Sequence, residues 1–323
     1  MSSTPALVLT AGLATRLRPL SLVRAKAALP VANEPLIQRI LRWLRANGID
    51  DLVLNLHHRP DTLTRIVGDG TELGVRVRYS WEVPVLGSAG GPKRALPLLF
   101  EHPTHGSAST FVIVNGDTLT NADLTSAIRD HKATGALVTM MVVPNTEPDK
   151  YGGVLVDDDG AVTGFCRRGS HQPSHHFFGV QVAEAEIFAR VPEGVPYETV
   201  ATLYPALIAE RRGSVRAVRC DAEHLDIGTA ADYLDTSLHV AAKEQRHQLT
   251  GSGVEIHHTA RVIDTILWDD VVIGAGAMLR ECIVTDGARV PADTSWHGVT
   301  IRRADGELAP GERRIGDLAI ASL

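Results

Sequence analysis

Over roughly its first 145 residues this chain alternates short apolar runs with amphipathic stretches, and that rhythm limits the folds open to it. Ala6 to Leu9, Leu52 to Leu56, Val75 to Tyr79, Phe111 to Val114 and Leu137 to Val143 have the length and aliphatic content of buried strands. The clearest helix between them is Pro35 to Asn47. There Leu36, Ile37, Ile40, Leu41 and Leu44 share one stripe, Pro35 suits a helix start and Gly48 suits its end. Strand, helix and strand in this order predict an α/β fold, a Rossmann-like, mostly parallel mixed sheet with helices on both faces. Ligands of such sheets lie beyond the C-terminal ends of the strands.

The remainder reads differently. From Tyr151 the pattern becomes a hairpin around Asp159-Gly160, a strand at Phe177 to Val182, and helices near Glu198 to Arg211 and Ala230 to Gln245. After Gly251 helical periodicity stops. Apolar residues recur at Ile256, Val262, Trp268, Ile273, Leu279, Val284 and Val290, in steps of five or six, which predicts the rungs of a short β-helix. A chain of 323 residues is long enough for more than one core, and the break divides it into residues 1–245 and a β-helical appendage at 251–323.

Composition removes several function classes. A net charge of −6 lacks the surplus of Lys and Arg that a nucleic-acid surface needs. Three cysteines, Cys166, Cys220 and Cys282, have neither C-x-x-C spacing nor an even number, so neither a disulfide framework nor a zinc knuckle is expected. No apolar run approaches membrane-spanning length, and Met1 to Pro5 lacks the basic-then-apolar order of a targeting segment. A cytoplasmic protein without nucleic-acid or membrane partners is expected. Paired histidines at 57–58, 175–176 and 257–258 would point to opposite faces of a strand, so edge or surface positions suit them better than metal chelation.

The chemistry-bearing segments start at the first strand. It runs into Thr10-Ala11-Gly12-Leu13-Ala14-Thr15-Arg16-Leu17-Arg18-Pro19-Leu20, with Lys26 and Leu29-Pro30-Val31 following. Small residues let main-chain N–H groups cradle phosphates, and Arg16 and Lys26 supply positive charge beside them. The loop is neither a Walker loop nor a G-x-G-x-x-G turn. A triphosphate site is the expectation.

At this point the chain resembles the sugar-1-phosphate nucleotidylyltransferases, which include mannose-1-phosphate guanylyltransferases and glucose-1-phosphate thymidylyl- and uridylyltransferases. Their N-terminal pattern A-G-G-x-G-T-R-L-x-P-L-T, followed by K and L-P-V, is matched at Gly12, Thr15 to Leu17, Pro19, Leu20, Lys26 and Leu29 to Val31, with Ala11 and Ala14 in place of two glycines. The resemblance implies that Ala11, Gly12, Leu13, Ala14 and Thr15 meet the nucleotide. It gives the same role to Gly87, Ser88, Ala89 and Gly90 in Leu86-Gly87-Ser88-Ala89-Gly90-Gly91, which is similar to the family's L-G-T-A-G. Asp117, closing Asn115-Gly116-Asp117, and Asp226, in Leu225-Asp226-Ile227-Gly228-Thr229, match the family's two Mg²⁺-holding aspartates, and the resemblance implies the same role here; the family's Trp two residues before the second is absent.

For the sugar phosphate the resemblance implies Asn115, Gly152 in Lys150-Tyr151-Gly152-Gly153, Arg168 and Gly179. Where the family reads Glu-Lys this chain has Arg167-Arg168. Arg168 can anchor a phosphate, but Arg167 cannot accept hydrogen bonds from hydroxyls, so either the acceptor sugar is unusual or other groups such as Glu198 hold it. The expected reaction joins an NTP to a sugar 1-phosphate, with Arg16 and Lys26 as catalytic charges. GTP and a mannose-like sugar come first, and UTP or dTTP second. A catalytically weak NDP-sugar-binding regulator is the alternative. The tail resembles the family's left-handed hexapeptide β-helix, is expected to be separable from the chemistry, and offers a surface for a homo-oligomer.

Overall fold

The computed structural model describes residues 4–101 and 109–323; Met1 to Ser3, part of the N-terminal stretch read above, lie outside the described residues. Two compact units emerge. The first takes in the chain through Gly12, then Gln38–His58 and Val67–Leu225, and the second Leu13–Ile37, Arg59–Ile66 and Asp226–Leu323.

The first unit is built on one nine-stranded sheet. Its strands are β1 (Ala6–Leu9), β2 (Asp51–Leu56), β3 (Arg76–Trp81), β4 (Thr110–Asn115), β5 (Val138–Pro144), β6 (Gly153–Val156), β7 (Val162–Cys166), β8 (His175–Glu184) and β9 (Val215–Arg219). The order β3-β2-β1-β4 is parallel throughout, as the alternation predicts. Strand β8 then runs antiparallel between β4 and β5, β9 returns parallel to β5, and the β6–β7 hairpin turns at Gly160, making the sheet mixed.

Register explains why helices must cover both faces. Leu7, Val53 and Ile113 share one face and Val8, Leu54 and Val114 the other, and all six are fully buried. Helix α1 (Leu36–Ala46) buries the whole predicted stripe. It ends at Gly48, which takes φ 78° so that Gly48 N–H reaches Arg45 O and Ile49 N–H reaches Leu44 O. Pro35, expected as its first residue, instead pairs with Pro30 in a two-residue ladder, because Leu36 N–H is held by Leu29 O. Helix α2 (Pro60–Val67) precedes α3 (Gly87–Leu99), which sets Ala89, Ala95 and Leu99 among Leu7, Val53, Phe111 and Ile113. Helix α4 (Leu124–Thr134) and the short α5 (Tyr204–Glu210) follow; the helix expected from Glu198 starts as a wider turn over Thr199–Leu203.

In the second unit α6 (Ala230–Lys243) starts at a capping box formed by Thr229 and Asp232. Beyond it lie three parallel sheets. Leu249, Ile266 and Ile283 pair in succession, as do Ile256, Ile273 and Val290, and Val262, Leu279 and Trp296, each step 17 residues long. The apparent slips in the apolar pattern are thus the period itself, six, five and six residues to a rung. Corners repeat with the rungs, since Asp264, Glu281 and Gly298 all take φ between 45° and 63°. Two expected rung residues differ. Ile256 is 39% exposed on the first rung, and the register partner of Val284 is Leu267 rather than Trp268. An antiparallel hairpin, Arg313–Ile315 and Leu318–Ser322, ends the stack, and Arg302 in the adjoining strand Val299–Arg303 forks onto the Glu312 carboxylate, whose side chain is fully buried, at 2.6–2.7 Å.

Candidate active site

The C-terminal ends of β1, β2, β3 and β4 lie side by side, and polar residues concentrate there. Asn55, the one polar side chain in its strand after Asp51, is buried and accepts from Thr10 N–H at 2.6 Å and Ala11 N–H at 3.3 Å through Oδ1. Its Nδ2 donates to Glu82 Oε1 at 2.7 Å, and Glu82 Oε2 accepts from Leu86 N–H at 2.8 Å. A buried carboxylate thereby joins the end of β1 to the segment before α3. Sequence reading missed both residues; the signal was a polar side chain inside an otherwise apolar strand.

The main-chain N–H groups of Thr10 and Ala11 are therefore occupied, whereas among the described residues those of Gly12, Leu13, Ala14 and Thr15 donate to no main-chain carbonyl. Ala14 stands at φ 46°, ψ 47°, the left-handed region that a glycine would occupy without strain. A single turn, Thr15–Leu17, follows and carries the exposed Arg16; the half-buried Lys26 opens a second turn, Lys26–Ala28.

Gly87 to Gly90 form the first turn of α3, and the N–H groups of Ser88, Ala89 and Gly90 already have partners. Ala89 N–H and Gly90 N–H donate to Tyr197 O at 2.9 and 3.3 Å, and Ser88 N–H and Oγ donate to Glu198 Oε2 at 3.3 and 2.5 Å. Glu198, expected to accept sugar hydroxyls, is thus engaged at a helix N-terminus, where its charge is favoured. Gly87 takes φ 75°, and a Cβ there would lie 2.8 Å from Tyr197 O, so the position requires glycine.

Strand β4 ends in Asn115, and a Cβ on Gly116 would stand 2.6 Å from Leu9 O, so only glycine lets the chain cross β1 and present the half-buried Asp117. Gly179, at φ 89°, makes room for Asn115, whose Nδ2 lies 2.6 Å from where its Cβ would be. Those two expected sugar residues are brought together. Gly152 faces Cys166 O and Arg168 N at the open end of the hairpin, away from the Gly160 turn, and Arg167 and Arg168 are exposed there. In the second unit Gly228 lies between Asp226 and Arg16: its Cβ would be 3.4 Å from Asp226 Oδ2 and 3.7 Å from Arg16 Nη1. Asp117 and Asp226 fall in different units. Among the described residues no group of three or more His, Cys, Asp and Glu side chains gathers to hold a metal.

A row of rings completes the first unit's site. Tyr151 stacks on His176 at 4.0 Å, His176 meets His224 at 5.1 Å and His224 meets Phe178 at 5.8 Å. His176 is therefore packed rather than at a surface edge, while His257 and His258, in the turn after a rung strand, touch at 4.3 Å instead of facing apart. Burial first, then the neighbouring charges of His224 and Lys150, pushes His176 from the usual 6.5 down to about 4. The unfolded chain takes up this proton below about pH 6.5 and the folded chain only near 4, so stability falls as pH falls through that window. Melting should be lower at pH 5 than at pH 7, and His176→Phe, which keeps the ring and cannot titrate, should remove about 1–2 kcal/mol of that loss. Equal acid sensitivity in both proteins would show that His176 protonates freely when folded.

The nucleotidyl transferase family model matches residues 5–243, three quarters of the chain. The chain belongs to the nucleotidyl transferase family. It is accordingly an enzyme, and its tail matches the GlmU-like C-terminal hexapeptide over residues 229–300, in keeping with a left-handed β-helix. Among similar nucleotidyl transferases are the mannose-1-phosphate guanylyltransferase of Mycobacterium tuberculosis, 29% identical over 89% of this chain and 81% of that one. The UTP–glucose-1-phosphate uridylyltransferase of Synechocystis is 29% identical over 88% of this chain and 76% of its own length. HddC from Yersinia pseudotuberculosis, solved in complex with GMP-PN, shares the fold with a TM-score of 0.62 at 22% identity, over 73% of this chain and 99% of that one. No described helix is long and apolar enough to cross a membrane.

Proposed function

We propose that the protein joins a sugar 1-phosphate to a nucleoside triphosphate, GTP and a mannose-like sugar first and UTP or dTTP second, releasing pyrophosphate and an NDP-sugar. The observation that carries this reading is the run of N–H groups from Gly12 to Thr15 that, among the described residues, donate to no main-chain carbonyl, followed closely by the cations Arg16 and Lys26. Relatives named as guanylyl- and uridylyltransferases of sugar 1-phosphates support the substrate class. A phosphate oxygen of the sugar 1-phosphate attacks the α-phosphorus, the bond to the β-phosphate oxygen breaks, and pyrophosphate leaves along the glycine-containing loop. No protein nucleophile is required. The residues act by positioning and by neutralising charge.

Arg16 holds the departing pyrophosphate, and Lys26 spans the α-phosphate and the acceptor phosphate. Arg168 draws in the sugar phosphate, and Asn115, Gly152 and Gly179 border the sugar. Asp117 and Asp226 would hold Mg²⁺, since half-buried carboxylates are the hard oxygen donors this ion takes. The chemistry such an ion would supply is neutralisation of phosphate charge. Three free cysteines suit a reducing cytoplasm, and the β-helix is the proposed surface for self-association.

A screen of the four NTPs with Mg²⁺ by thermal shift, followed by pyrophosphate release over a panel of sugar phosphates, tests this reading. A ligand at 100 times its dissociation constant stabilises by about 2.7 kcal/mol, a readily measured shift. GTP should give the largest shift, and turnover should follow with a manno-configured acceptor. Stabilisation by an NDP-sugar with no pyrophosphate from any NTP would favour the regulatory alternative.

A further inference from the structure

Arg24 lies two residues before Lys26, yet its side chain is only 13% exposed and its partners are on the β-helix. Its Nη2 is 2.5 Å from Asp269 Oδ2 and from Asp286 Oδ1, and its Nε donates to Asp286 Oδ2 at 2.8 Å. Asp269 and Asp286 are 17 residues apart, the period of one rung, so their carboxylates stack at the same place on successive rungs. Each also accepts from the rung before it: Asp269 from Ser252 N–H at 2.8 Å and Asp286 from Asp269 N–H at 3.1 Å. Two like charges one rung apart repel, and a planar guanidinium forked between them relieves that repulsion as a flexible ammonium would not. The guanidinium also lies 5.1 Å from the centre of the Trp268 ring.

The same tryptophan secures the other flank of Lys26. Trp268, fully buried, donates through Nε1 to Tyr233 OH at 3.0 Å, and Tyr233 OH donates to Pro30 O at 2.6 Å. The turn Lys26–Ala28 is thus held before its start through Arg24 and just past its end through Pro30, in both cases by way of the first complete rungs of the β-helix. This explains why Trp268 departs from the rung register: it faces the loop segment instead of the stack.

We infer that Arg24 is a positioning residue for nucleotidyl transfer, acting through Asp269 and Asp286 to hold the Lys26 turn, so that the β-helix is part of the catalytic apparatus. The inference rests on the transferase reading of Lys26. It replaces the expectation that the tail is separable from the chemistry, because removing the rungs removes both Asp269 and Asp286.

The test uses the full chain with Arg24→Met, Arg24→Lys and the double variant Asp269→Asn/Asp286→Asn, reading pyrophosphate release and, separately, the rate of tryptic cleavage after Arg16 and Lys26. A small displacement of a catalytic charge costs up to about 10²-fold, so Arg24→Met should lower kcat by about 10- to 100-fold while KM for the NTP stays nearly constant. Cleavage at the two sites should speed up at a temperature well below melting. Arg24→Lys should recover part of kcat. The double variant should match Arg24→Met, and combining the two should add little, since one contact is being removed from either side. A folded Arg24→Met protein with wild-type kcat and wild-type cleavage would overturn the inference. If that variant does not fold, Asp286→Asn, which keeps the Asp269 pair, takes its place: an intermediate loss of kcat supports the tether and an unchanged kcat overturns it. Failure of the wild-type chain to release pyrophosphate with any substrate pair would instead defeat the transferase reading, while the cleavage rates would still report whether the tether holds the loop.

Discussion

Asp117→Asn and Asp226→Asn should each remove most of the activity, by at least about 10²-fold in kcat. The two carboxylates belong to different units. Asp117 is carried past β1 by a glycine that no other residue can replace without a clash at Leu9 O, and Asp226 stands beside Arg16 ahead of the α6 capping box. Asparagine keeps the shape and one neutral oxygen but removes the charge that would retain a hard cation. Groups that act as a unit are not additive, so the double variant should be scarcely worse than either single one, and raised Mg²⁺ or substituted Mn²⁺ should recover part of the loss. Wild-type activity and Mg²⁺ dependence in Asp226→Asn, with Asp117→Asn inactive, would refute a shared site. Helix capping would not then explain Asp226, because Thr229 and Asp232 already cap α6.

Lys26→Ala should lower kcat by about 10²- to 10³-fold with little change in NTP binding, the signature of a contact made mainly in the transition state. Lys26 is half-buried on a short turn whose neighbours Ala27 and Ala28 are buried, so its ammonium has a restricted reach. The GTP-induced rise in melting temperature should survive the substitution. An unchanged kcat with a raised KM for NTP would make Lys26 a docking charge. Arg24→Met and Lys26→Ala should then part company in one respect, since only the former should expose the loop to trypsin.

Much of this was legible from local pattern. A buried parallel strand needs a run of aliphatic residues, a helix buries a 3.6-residue stripe, and a β-helix repeats its apolar positions each rung; each shows within a short window of sequence. On that basis β1, the α1 stripe, the hairpin at Gly160 and the rungs could be placed from the sequence alone. So could the family resemblance, because its motifs sit on contiguous residues.

What the tertiary structure decided are partners far apart in the chain. Asn55 and Glu82 reach across 27 residues to hold the first strand's end, Glu198 is claimed by Ser88 110 residues earlier, and Arg24 meets Asp286 over 262 residues. Periodicity states which face a residue occupies and not which side chain awaits it there. The rung period was hidden because 17 is not a multiple of six, and Trp268 fitted the apolar pattern while serving another contact. Local sequence sets conformational preference and burial; the destination of a buried charge or hydrogen-bonding group depends on long-range closure, which only the folded chain supplies.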